Sequence, residues 1–382
     1  MSKESDLQRL LKSIKPVRLI VILGLIFIGL KLPYYPDPYL HISNSSPAWA
    51  PDGNHIAFIS NRDGNRNENT GIYTMNSNGS NVTYLTPDPY KLFYNYRDDV
   101  SPVWSPDGKY IAFASAKGKR TFKTDFYDPF YSYLNKAYEI YRMEVDGSNM
   151  LLLSGNTENC LSPNWSPDGK KIAFVCSRDK PAIYVANADG TNIFRLSEND
   201  SACFSPTWSS EGKEIAFFCD QDVEAVPSII YIINADGSGL RELAQLPNVG
   251  SVIWSPNGEF ILITELDATF KREIIKMSVI NADGTNLKQL SSEFITHLSW
   301  SPDSTQIAYV LVDTINLINV DGTNAREIYR YKGTYYSPSL GNPAWSPDGR
   351  RIAFSMTASS KNGQQIYMIN ADGKNLIQLT HK

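Results

Sequence analysis

Apolar residues along this chain fall into two regimes. One is an uninterrupted run, Leu19 to Leu30 (LIVILGLIFIGL). The other fills everything from about residue 46 onward. There, short stretches alternate apolar and polar residues and are broken by turns rich in Pro, Asp, Asn and Gly. Alternation with period two, punctuated by such turns, predicts short β-strands rather than helices.

The strand-like region is built from one repeated unit. All seven tryptophans occupy the same phrase: Trp49 (WAPDG), Trp104, Trp165 and Trp345 (WSPDG), Trp208 (WSSEG), Trp254 (WSPNG) and Trp300 (WSPDS). An isoleucine follows each Trp by seven residues, usually opening the triplet IAF. A second phrase comes next, as in Ile183–Asn192 (IYVANADGTN), and then a run that often ends in Leu-Thr or Leu-Ser. Each unit therefore predicts four strands: a Trp strand, a tight Ser-Pro-Asp-Gly turn, the IAF strand, an IYxxN strand, an Asp-Gly turn and a short outer strand. Four strands in about 40–45 residues is the signature of a β-propeller blade. Seven units over 46–382 predict an all-β, seven-bladed β-propeller. A six-bladed ring with one unit outside it is the alternative.

The apolar run belongs to a separate N-terminal object. Residues 1–18 carry five basic side chains against Glu4 and Asp6, which predicts a cytoplasmic tail. Twelve helical residues reach only about 18 Å, short of a ~30 Å hydrocarbon core. Snorkelling by Arg18 and Lys31, with Tyr34 and Tyr35 at the interface, extends the span to 19–35. No small-x-small site follows the run closely. An uncleaved transmembrane signal-anchor helix is the leading expectation, with a cleaved signal peptide and a buried helix as alternatives. A linker over 36–45 then leads to a propeller outside the cytoplasm, in the periplasm or at the cell surface.

The W-S-P-D-G and IYxxNxDG phrases resemble those of the TolB-like propeller family. Similar propellers precede the hydrolase domain of prolyl-oligopeptidase-like peptidases. TolB itself has six blades and an N-terminal α/β domain, whereas this sequence shows seven repeats behind an apolar segment. The TolB role of docking outer-membrane and peptidoglycan partners therefore does not transfer by itself.

Repeat geometry sorts the loops. The Trp-to-Ile distance is always seven, and the Asp-Gly turn is also fixed. All length variation falls in the second-to-third-strand loops and the blade-to-blade connections, which share the opposite face. Binding usually sits on loops held by a rigid scaffold. The largest insert, residues 118–137, brings Phe126, Tyr127, Phe130 and Tyr131. The blade 1–2 connection brings Tyr94, Tyr96 and Arg97 beside Asp98 and Asp99. The blade 6–7 connection brings Tyr329, Tyr331, Tyr335 and Tyr336. Aromatics interleaved with charge suit a protein, peptide or glycan ligand. The competing expectations are that they plug the channel or pack the insert onto blade 2, or that they contact a lipid surface.

Composition narrows the chemistry. Lys plus Arg is 36 and Asp plus Glu is 40, a net charge of −4, so nucleic acid is not an expected partner. The recurrent aspartates read as turn carboxylates capping their own backbone, not as a calcium or catalytic set. No G-x-S-x-G elbow, metal-ligand spacing or cofactor motif appears, so neither a metal nor a cofactor is expected. His297 is the least ordinary of four histidines, because Ser occupies its position in five blades. A binding or scaffold module is expected first, then a lyase or hydrolase at the channel mouth, or the regulatory propeller of a peptidase system.

Four cysteines form two identically placed pairs, five before and eleven after Trp165 and Trp208. A three-residue turn, Pro167-Asp168-Gly169, sets Ser166 opposite Lys170. Six steps outward then oppose Cys160 to Cys176, and the same count opposes Cys203 to Cys219. Two disulfides follow in an oxidising compartment, and four buried free thiols otherwise.

Overall fold

Each Trp phrase becomes the inner strand of a four-stranded antiparallel blade. The computed structural model describes residues 42–62, 70–86, 95–119, 137–155, 157, 159–177, 180–197, 201–220, 226–266, 274–332, 340–357 and 363–381. In blade 1 the strands are Asn44–Trp49, His55–Ser60, Gly71–Asn76 and Thr83–Tyr84, hydrogen-bonded in that order. The same order recurs in all seven blades, and a single pairing of Ile274 with Ile295 joins the sheets of blades 5 and 6. The propeller therefore has seven blades, and the six-bladed alternative falls away.

The IAF triplet packs one blade on the next. Successive strand side chains point to opposite faces, so Ile and Phe share one face and Ala takes the other. In blade 2, Ile111 and Phe113 pack with Ala57, Ile59 and Ile72 of blade 1. Ala112 and Ala114 form the opposite face, against Trp165, Ile172 and Phe174 of blade 3. Each interface is thus a large face against a small one, and Phe58, Phe113, Phe174 and Phe354 are fully buried. Burial of each such ring contributes about 1.5–3 kcal/mol.

Both fixed turns are held by their own polar residues. In blade 3 the Gly169 N–H donates to Ser166 O (2.9 Å), and Gly169 takes a φ of +69°. Ser166 Oγ donates to Asp168 Oδ1 (2.7 Å), and the Lys170 N–H donates to the same oxygen (3.0 Å). The Ala188 N–H, entering the second turn, donates to Lys170 O (2.7 Å), so the two turns abut on one face. Partial burial pushes the Asp168 carboxylate up, but the Ser166 and Lys170 hydrogen bonds outweigh it and hold its pKa below the usual range. The repeated aspartates thus serve their own turns, as expected.

The Leu-Ser/Thr ending closes each of four blades in the same way. Thr86, Ser154, Ser197 and Thr380 hydroxyls accept from the N–H groups of Ile72, Ile140, Ile183 and Ile366 at 2.8–3.1 Å. The preceding leucines, such as Leu85 and Leu379, are buried. The ring closes without a borrowed strand, since blades 7 and 1 each keep four strands of their own.

Both expected disulfides form, Cys160–Cys176 and Cys203–Cys219. The turn count behind them needs correction. Ser166 N–H donates to Lys171 O, so the loop has four residues and Trp165 opposes Ile172. A β-bulge between Ala173 and Val175 then slips the register by one residue and brings Cys160 opposite Cys176. Two residues, Ser162 (φ +57°) and Pro163, there face the single Phe174, and Ser205 (φ +57°) and Pro206 repeat the device in blade 4. Bulges accommodate both a left-handed residue and a proline that cannot donate to the ladder.

The expected transmembrane helix over 19–35 lies outside the described residues. Among those described, no helix is long and apolar enough to cross a membrane.

Candidate ligand-binding face

The Trp rings tie the blades into a scaffold for the opposite face. Trp104 Nε1 donates to Ala48 O (3.0 Å), Trp165 to Val103 O (3.2 Å), Trp208 to Asn164 O (3.1 Å), Trp300 to Ile253 O (3.2 Å) and Trp49 to Ala344 O (3.1 Å). Each acceptor is the residue preceding the Trp of the neighbouring blade. Trp254 instead donates to Gly258 O of its own blade (3.0 Å), and Trp345 Nε1 is buried without a partner among the described residues.

Of the residues assigned to the face from sequence, Tyr94, Phe126, Tyr127, Phe130, Tyr131, Tyr335 and Tyr336 lie outside the described residues. Tyr96 and Arg97 are placed by their backbone. They belong to a ten-residue inner strand, Asn95–Trp104, in register with Gly118 and Lys117 of the second strand, Tyr110–Lys119. This long hairpin leads directly into the insert of blade 2.

Four residues are placed differently from the sequence expectation. Asp98 and Asp99 are not loop residues but buried members of the same inner strand. Asp98 accepts hydrogen bonds from Thr70 of blade 1 and Tyr138 of blade 2, which makes it a tie between blades. Tyr329 and Tyr331 pack against the core shared by blades 6 and 7. Tyr329 lies 5.6 Å from the Phe354 ring centroid and reaches Met356 Sδ (3.2 Å). These two tyrosines therefore pack between blades 6 and 7, a place neither sequence expectation gave them.

His297 lies in the inner strand of blade 6, Ile295–Trp300, within the bulge between the Ile295–Leu311 and Leu298–Tyr309 pairs. Its Nδ1 is buried without a partner among the described residues, and burial lowers its pKa.

Sequence reasoning also missed a cavity of about 880 Å³ walled by the inner and second strands of blades 3 and 4 and by blade 5. It sits where Leu161, Phe204 and Gly250 occupy the position four before Trp in successive blades. That step from bulky to absent side chain was readable from the repeat alignment. Among the described residues, no cluster of His, Cys, Asp and Glu has the makings of a metal site.

Residues 127–268 match the TolB beta propeller domain family. The chain is 31% identical over 152 residues to the TolB homolog of Chlorobium chlorochromatii, covering 33% of this chain and 32% of that protein. It is 28% identical over 158 residues to the uncharacterized peptidase YuxL of Bacillus subtilis, covering 36% and 22%. The chain thus matches about a fifth to a third of the length of these relatives. Among solved structures, the β-propeller domain of the Trilobed protease from Pyrococcus furiosus superimposes with a TM-score of 0.60 at 15% identity, covering 89% of this chain and 98% of that one. A prolyl endopeptidase structure gives 0.63 at 14% identity, covering 89% and 50%. These structural likenesses concern the fold alone. With the repeat phrases, the blade architecture and these matches together, the chain is a seven-bladed β-propeller whose central stretch is similar to the TolB beta propeller domain family.

Proposed function

We propose that this protein is an extracytoplasmic binding propeller that recognises a protein or peptide partner on its variable-loop face, held at the membrane by residues 19–35. The observation that carries the reading is the division of labour between the two faces. The fixed face is consumed by turns that satisfy their own polar groups. The opposite face receives every insertion, including the aromatic insert behind the long hairpin of blade 2. The two disulfides support an oxidising compartment. Similarity to a TolB homolog favours protein over glycan as the ligand class.

The test uses the full chain solubilised in detergent. Arrays of peptides and glycans are probed with the intact protein and with a variant lacking residues 121–134. Peptide binding that disappears in a variant with unchanged thermal unfolding supports the reading. A variant that unfolds identifies the insert as a packing element and counts against it.

A further inference from the structure

We infer that the cavity between blades 3, 4 and 5 is a peptide side-chain pocket that takes an apolar residue adjoining a cationic one. This inference rests on the variable face being the binding face, and it assigns the chemistry of the ligand there.

The cavity measures about 880 Å³, room for two or three side chains, and its walls are mainly apolar. It reaches the variable-face ends of the strands, where Ser177, Pro181 and Asp220 lie. Its origin is the change of side chain from blade to blade. Leu161, 37% exposed, and Phe204 project from blades 3 and 4, and Gly250 follows in blade 5. A Cβ on Gly250 would come within 2.7 Å of Leu266 Cδ2, so the missing side chain at 250 leaves room for Leu266, which lines the cavity from blade 5.

Two features mark the recess as a built site. First, all four cysteines are flanked by residues that line it. Leu161 follows Cys160, Val175 precedes Cys176, Phe204 follows Cys203, and Asp220 follows Cys219. Each disulfide therefore ties an inner strand to the second strand directly behind the cavity wall. Rigid walls lower the ordering cost that a ligand must offset.

Second, the described lining carries one charge. Pro163, Pro181 and Pro206 have no N–H to offer, and Asp220 is the one charged side chain among the described lining residues. Ser228 Oγ donates to Asp220 Oδ1 (2.6 Å) and orients the carboxylate at the rim. An apolar wall with one oriented carboxylate at its edge complements an apolar side chain beside Lys or Arg.

The probes are three capped tripeptides, acetyl-Leu-Phe-Lys-amide and its Gln and Glu counterparts, titrated calorimetrically into the full chain. The Lys peptide is expected to bind at least about tenfold more tightly than the Glu peptide, the size of one favourable charge contact. Asp220→Asn should reduce that preference to about twofold or less, leaving the Gln peptide unchanged. Leu161→Trp, which fills the recess from a partly exposed position, should weaken all three by about tenfold or more. Leu161→Gln provides the same test should the larger ring impair folding. Equal affinity for the Lys and Glu peptides, no binding at millimolar concentration, or affinities unmoved by either Leu161 variant would overturn the inference. The variant lacking residues 121–134 separates the two readings. Insert-dependent binding on the peptide array together with silent tripeptides sinks the pocket and leaves the face. Tripeptide binding that follows Asp220 and Leu161, with array binding indifferent to the insert, sustains the pocket and removes the role of the insert.

Discussion

At the scale of single residues, two polar atoms distinguish the seam between blades 6 and 7. Five Trp rings hydrogen-bond the neighbouring blade, whereas Trp345 Nε1 does not. Trp104→Phe is expected to cost about 1 kcal/mol more than Trp345→Phe in equilibrium denaturation, because only the former strands a carbonyl, Ala48 O. Equal losses would show that the Trp phrase acts through ring area alone. The second atom is His297 Nδ1, on the strand facing Gly341 of blade 7. Burial lowers the folded-state pKa of His297, so the unfolded chain binds a proton more readily. Stability is then lost as pH falls below the ordinary histidine value of about 6.5 and continues to fall down to the lowered folded value. Urea unfolding at successive pH values should show this slope, and His297→Gln should flatten it.

At the scale of strands and turns, the disulfides offer the sharpest test. Each spans 16 residues, and loops of that length contribute about 3 kcal/mol in the chain-entropy account. Replacing Cys160 and Cys176 together by Ser should lower stability by about 2–4 kcal/mol and raise hydrogen exchange in blade 3, with blade 1 unaffected. Uniform acceleration around the ring would mean that the cross-link acts on the whole unfolded chain and not on its blade. The same hairpins show what the sequence carried. Seven Trp phrases of one pattern made the blade count legible, and the paired offsets made the disulfides legible. The register between them was not, because the hairpin loop is one residue longer than the three-residue turn supposed and the bulge at Ser162-Pro163 takes that residue back. The proline was the visible signal, since it has no place in a regular ladder. Asp98 falls within the blade 1–2 connection when the repeats alone are read. Its partners come from other strands, Thr70 and Tyr138, and only the assembled fold brings them near.

At the scale of the whole ring, no strand crosses the seam between blades 7 and 1 among the described residues, so closure there rests on side-chain contacts. Its apolar part joins Trp49, Ile56 and Phe58 to Ala353, Ile366 and Leu379. Its polar part centres on Gln365, which is 2% exposed. Gln365 Oε1 accepts from Asn44 Nδ2 (2.9 Å) and Thr380 Oγ1 (2.9 Å), and Gln365 Nε2 donates to Ile42 O (3.1 Å). One side chain thus links the first described residues of the propeller to its final turn. Gln365→Leu keeps the volume but leaves the Asn44 amide and the Ile42 carbonyl without this partner. Each such group left unpaired costs about 1–3 kcal/mol, so the variant should lose about 2–6 kcal/mol in all. The loss should be local before it is global. Amide exchange should quicken first in blades 1 and 7, on either side of the seam, while blade 4 on the far side of the ring keeps its protection. Faster exchange in blade 4 than in blade 1 would show that the ring does not open where its ends meet.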